Sequence, residues 1–180
     1  MRCRDLDLRN KDLKKYDSGK KFMTPVLIIA YGNPLRSDDG VAWQAAETLR
    51  RRLPASQAEI IFVRQLTPEL AEQLSRSQSV IFLDASCSGE PGKITCEPLS
   101  LSADVHFAHQ LSPSGLLALG TLLYGNTPRA FSVSLSGKSF DHGDTLSSAA
   151  INSLPRLVAR VCELVEHLSN ARLVNASLNV

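Results

Sequence analysis

No Cys-x-x-C pair occurs in this chain, and its cysteines stand apart at Cys3, Cys87, Cys96 and Cys162. That spacing excludes a zinc ribbon and a disulfide framework. Free thiols suit a reducing compartment, and no apolar run reaches the length that spans a bilayer. The expectation is a soluble, cytoplasmic monomer with no membrane partner. Three catalytic signatures are also missing: the G-x-S-x-G nucleophile elbow, the H-E-x-x-H zinc pair and the G-x-x-x-x-G-K-[ST] phosphate loop. Ser136, His142 and an Asp could be drawn as a triad, but no elbow glycines support it. There is no internal repeat and no sign of a second domain.

What is present suits one globular domain: 180 residues, 43% of them hydrophobic, enough for a real core. The net charge of +2 is uneven. Residues 1–21 hold eight Lys or Arg against four Asp, a local +4 that leaves the remainder at −2. The basic pI therefore belongs to this segment and makes no case for nucleic-acid binding. The segment lacks the apolar stretch of a secretory signal. Residues 1–22 read as a disordered charged extension, 23–169 as a single α/β domain, and 170–180 as a frayed tail. Met23 stands just before the first strand and could be the true start.

Short apolar, β-branched runs predict strands at 26–30, 59–63, 79–84 and 130–135, with a shorter, partly exposed edge strand at 93–97. Helical spacing predicts 40–53, with Ala42, Ala45, Leu49 and Leu53 on one face and Pro54 as its stop. Thr67-Pro68 opens a second helix running to about 75. A third covers 112–124, with Leu116, Leu119, Leu122 and Leu123 as its apolar face. The last runs from 146 to 168, bent or split by Pro155. Trp43 and the leucine stripes read as core. Alternating strands and helices imply a three-layer α/β fold of the phosphorylase/hydrolase-like kind, a mostly parallel twisted sheet with helices on both faces. Such sheets place ligands beyond the carboxyl ends of their strands.

Three strand-end positions carry metal-type donors: Asp39 after the first strand, Asp84 at the end of the third, and His109 in the loop before the next helix. The first lies in Tyr31-Gly32-Asn33-Pro34-Leu35-Arg36-Ser37-Asp38-Asp39-Gly40-Val41. A helix start normally attracts anions, and paired acids would repel them. The turn therefore fits a cation or proton-transfer site better than a nucleotide site. Two carboxylates and an imidazole suit nickel, zinc or a related divalent ion with positions left open. A metal-free pair of Asp sharing a proton fits equally well. Asp38 reads as a helix cap or a support for Asp39. His106 reads as a surface residue, His142 as part of a turn lining the cleft, and His167 as exposed or capping. Cys87 has no adjacent His to mark it as a nucleophile.

Gly-Asn-x-Leu-x-x-Asp-Asp-Gly-Val resembles the opening motif of the hydrogenase maturation proteases. Val80-Ile81-Phe82-Leu83-Asp84-Ala85, His109-Gln110 with Leu111-Ser112-Pro113, and Ser136-Gly137 through His142-Gly143-Asp144-Thr145-Leu146-Ser147 resemble the segments that follow it in that family. The resemblance spans about residues 23–168. It implies an endopeptidase that trims the C-terminal extension from a nickel-loaded [NiFe]-hydrogenase large-subunit precursor. It further implies that Asp39, Asp84 and His109 engage the nickel carried by the substrate, and another divalent ion could occupy the isolated protein. Ala42 stands where the family commonly has glycine. A non-proteolytic, nickel-sensing chaperone for the same large subunit would need the same three residues. The acids in the first turn argue against a nucleotide-binding α/β protein.

Overall fold

The computed structural model describes residues 24–101 and 111–177, with side chains through Ser169. The predicted extension at 1–22, together with His106 and His109, lies outside the described residues. Among the described residues, five strands form one sheet: β1 (Thr24–Tyr31), β2 (Ala58–Val63), β3 (Ser77–Ser86), β4 (Ile94–Leu99) and β5 (Arg129–Ser136). Their order is β2-β1-β3-β5-β4. β1 is parallel to β2 and β3, and β3 is parallel to β5. β4 runs antiparallel along β5 at the edge, as predicted for the short strand there.

Four α-helices among the described residues cover the sheet: α1 (Val41–Arg52), α2 (Leu70–Ser75), α3 (Pro113–Tyr124) and α4 (Ser148–Ser177). α1 and α4 pack on one face, where Val26, Ile28, Ala30, Ile81, Leu83, Val133 and Leu135 point. α2 and α3 cover the other, over Leu27, Ile29, Val80 and Phe82. The alternation along β1 and β3 sends successive side chains to opposite layers. Because both layers are apolar, the central strands read as unbroken hydrophobic runs. No helix among the described residues is long and apolar enough to cross a membrane.

Local signals set the helix ends. The Ser112 hydroxyl accepts from Gly115 N–H at 3.1 Å, Pro113 opens α3, and Gly125 closes it in the left-handed region at φ 66°. Four expectations need correction. The buried face of α3 is Leu116, Leu117 and Gly120, while Leu122 and Leu123 are 80% and 59% exposed. Gly120 lets α3 approach α2 so closely that a Cβ there would stand 3.0 Å from Leu74, which fixes the rotation of the helix. Pro155 lies inside a continuous α4. It is on the exposed face, so the carbonyl it leaves without a partner faces water. α4 also carries helical backbone through 170–177 where fraying was expected. Trp43 is only half-buried; it packs edge-on against Phe62 at 5.5 Å and donates from Nε1 to the Val63 carbonyl.

Candidate active site

Chain order reverses between β1 and β3: β1 leads outward to β2, and β3 leads toward β5. The carboxyl ends of these neighbouring strands flank the crevice where doubly wound sheets bind ligands. Asp39 follows β1, and Asp84 lies inside β3, two residues before its end rather than at it; the two are near enough for the Asp39 charge to act on Asp84.

The loop after β1 is built around its glycines. Gly32 has φ +132°, and a Cβ there would lie 2.3 Å from the Asp39 carbonyl oxygen. At Gly40 a Cβ would lie 2.9 Å from the Pro34 Cα. The two ends of the motif therefore touch backbone to backbone. Asn33 donates its N–H to the Asp39 carboxylate at 2.8 Å, and its own side-chain oxygen accepts from Leu35 N–H. A short 3-10 turn over Ser37–Gly40 then leads into α1.

Asp84 stands beside Tyr31. The register pairs Ala30 with Leu83, so the next residues on each strand are neighbours with side chains on the α2/α3 face. The Tyr31 phenol donates to the Asp84 carboxylate, and the Ala85 N–H adds a second bond at 2.7 Å. Burial pushes Asp84 up to about 6, and the negative charge of Asp39 adds to the rise, against these two bonds. Burial, followed by the Asp84 charge, lifts Tyr31 far above the ordinary phenol value, so it stays a protonated donor. Tyr31 was not singled out from the sequence. Its signal is positional: it is the last residue of a central strand, next to an acid on the adjoining strand.

Asp38 has a different place from the one expected. It caps neither the 3-10 turn nor α1. It is fully buried and reaches across the molecule. One carboxylate oxygen accepts from Ser147 N–H at 2.7 Å. The other accepts from Lys138 N–H at 2.7 Å, Ser139 N–H at 3.1 Å and the Ser147 hydroxyl at 2.7 Å. Burial works to raise its pKa, but these hydrogen bonds prevail and hold the carboxyl below its ordinary range. The Ser147 hydroxyl in turn accepts from Ala150 N–H at 3.3 Å, so Asp38 is tied to the start of α4.

Backbone bonds complete the join. Ser37 N–H donates to Gly143 O, Asp38 N–H to Ser139 O, and Gly143 N–H to Leu35 O. Arg36 Nε donates to the Phe140 carbonyl, Ser37 Oγ to that of Asp141, and His142 Nδ1 to that of Leu35. Ser37 takes up a left-handed backbone at φ 48° to make its bonds. Ser136 is buried at the end of β5 and His142 is exposed. His142 spends Nδ1 on the loop carbonyl, which leaves no support for a triad. Cys87 is exposed beyond β3, and His167 is exposed on α4. Among the described residues, no three His, Cys, Asp or Glu side chains converge well enough to hold a metal ion. Asp39 and Asp84 come together; the third predicted donor, His109, lies outside the described residues.

No protein-family model matches the chain, and no curated protein does. Solved structures do. The hydrogenase maturating endopeptidase HybD of E. coli aligns with a TM-score of 0.69 at 19% identity, covering 80% of this chain and 93% of its own. The [NiFe] hydrogenase maturation protease HybD of Thermococcus kodakarensis gives 0.62 at 22%, covering 79% and 99%. HycI of the same organism, also a [NiFe] hydrogenase maturation protease, gives 0.63 at 20%, covering 83% and 95%. The chain has the α/β fold of these maturation endopeptidases over nearly their full length.

Proposed function

We propose that this protein is an endopeptidase that removes the C-terminal extension of a nickel-loaded [NiFe]-hydrogenase large-subunit precursor. One observation carries the reading. Asp39 and Asp84 lie within electrostatic reach of each other at the strand-order reversal of a fold shared with hydrogenase maturation endopeptidases. Fold alone does not specify function; the acid pair at the ligand-binding end is what joins the two.

In this reading the nickel arrives as part of the substrate. Asp39 and Asp84 supply hard oxygen donors, and His109 supplies an imidazole. That donor set suits a divalent ion with free positions. Asn33 bonds the Asp39 carboxylate, Tyr31 and Ala85 bond that of Asp84, and the remaining lone pairs would serve the incoming ion. A loaded precursor thereby gains contacts that an empty one lacks, which makes metal insertion the licence for cleavage. The raised Asp84 also fits proton transfer. Near neutral pH it can accept a proton from an attacking water, with Asp39 holding the second carboxylate position.

The test is incubation with nickel-loaded and nickel-free precursor, with the product C-terminus read by mass spectrometry. The expected result is cutting of the loaded form alone, with no metal added to the protease. Equal cutting of both forms would remove the metal-recognition role. Tight binding of the loaded form without cleavage would mark the protein as a nickel-sensing chaperone.

A further inference from the structure

Beside the acid pair lies a depression of about 470 Å³, lined by Asn33, Leu35, Arg36, Phe140, Asp141 and His142. Resting on the endopeptidase reading, we propose that this depression seats the substrate's peptide chain next to the cleaved bond, as an extended segment carrying an apolar side chain.

The lining argues for a peptide over other ligands. Arg36 and Asp141 offset each other in charge, which disfavours a phosphate or another simple anion. Arg36 uses Nε on the Phe140 carbonyl, and its terminal nitrogens remain as donors in a fixed fork. His142 donates Nδ1–H to the Leu35 carbonyl, which fixes the ring and leaves Nε2 as its atom open to a ligand; the Asp141 carboxylate beside it supplies an acceptor. Donors and an acceptor side by side match the alternating N–H and C=O of an extended main chain. Leu35, 47% exposed, and Phe140 supply the apolar surface for a side chain.

Position and rigidity agree. Asn33 belongs to both places: it lines the depression and bonds the Asp39 carboxylate through its N–H. A chain lying there touches the residue that holds the Asp39 carboxylate. Both walls are held by cross-loop hydrogen bonds from Leu35, Arg36, Ser37 and Asp38 to 138–143. Such a seat exists before the ligand arrives and costs little ordering on binding.

The experiment uses the full chain, His142→Ala and Leu35→Ser, with two readouts. In the first, nickel-loaded precursor is titrated. Each variant should raise KM about tenfold while kcat falls less than about threefold, because the lost contacts are made equally in ground and transition states. Wild-type KM in both variants, with thermal midpoints unchanged, would overturn the subsite and leave the endopeptidase standing. The second readout needs no cleavage. Synthetic peptides covering the C-terminal extension and the residues flanking the cut are added to isotope-labelled protein. Amide shifts confined to 33–36 and 139–143 support the subsite even if no precursor is cut. Shifts elsewhere, or none at millimolar peptide, reject it.

Discussion

Replacing Asp38 by Asn tests the loop junction most severely. The side chain is almost unchanged in shape, so packing is kept. The carboxylate, however, faces four donors: Lys138 N–H, Ser139 N–H, Ser147 N–H and the Ser147 hydroxyl. An amide keeps one accepting oxygen. With that oxygen on the three-donor side, its NH₂ meets the Ser147 N–H head-on. One buried N–H is then unpaired, at a cost of about 1–3 kcal/mol. The three remaining bonds lose their charge assistance, which roughly halves each of them. The sum is about 3–5 kcal/mol, a large share of a domain's ~5–15 kcal/mol. Urea unfolding followed by circular dichroism would measure it. The acid side gives a second check. The folded pKa of Asp38 is depressed, so its stabilisation is present above the unfolded value of about 4 and is lost as pH falls through the lower folded value. The gap between wild type and variant should be level from about pH 5 to 8 and narrow below about pH 4. A gap of only ~1 kcal/mol, the worth of a helix cap, would refute the cross-loop account, as would one that stays constant into acid.

Asp84 runs the opposite way: its folded pKa is raised to about 6, so ionising it costs stability as pH rises through that value. Asp84→Asn should therefore be about 2–3 kcal/mol more favourable relative to wild type at pH 8 than at pH 4, while processing is abolished; normal cutting by this variant would remove the carboxylate pair from the chemistry. Gly32→Ala should cost about 2–4 kcal/mol, because the new methyl group meets the Asp39 carbonyl; a melting midpoint near wild type would show that the loop yields. Asp39→Asn and His109→Ala should each stop processing with thermal midpoints within about 4 °C of wild type, and full activity in either would strike that residue from the proposed nickel ligands.

Strand positions were readable because β1 and β3 are buried on both faces and spell continuous apolar runs, while β5 alternates Phe131, Val133 and Leu135 with serines. The edge place of β4 followed from its Pro-Gly turn and mixed composition. Helix rotation was harder. Leu122 and Leu123 share a plausible stripe with Leu116, but close approach to α2 at Gly120 selects a different face. In the Asp38-Asp39 pair, Asp39 was assigned to the site, and its charge acts on Asp84. The work of Asp38 was hidden because its partners lie about a hundred residues away. Tyr31 stayed unmarked for a related reason: strand register, not sequence spacing, puts its phenol on Asp84.

The tie between Asp38 and Ser147 also sets an order of events during synthesis. The loop bearing Asp39 is among the first parts of the described chain to leave the ribosome, yet the buried carboxylate of its neighbour Asp38 has none of its donors until 138–147 have emerged. β5, Asp84's partner along the sheet, arrives in the same late stretch. A nascent chain therefore carries the acids without the geometry that makes them a site. If the protein is the endopeptidase proposed above, unfinished copies lack the activity until this late stretch has emerged.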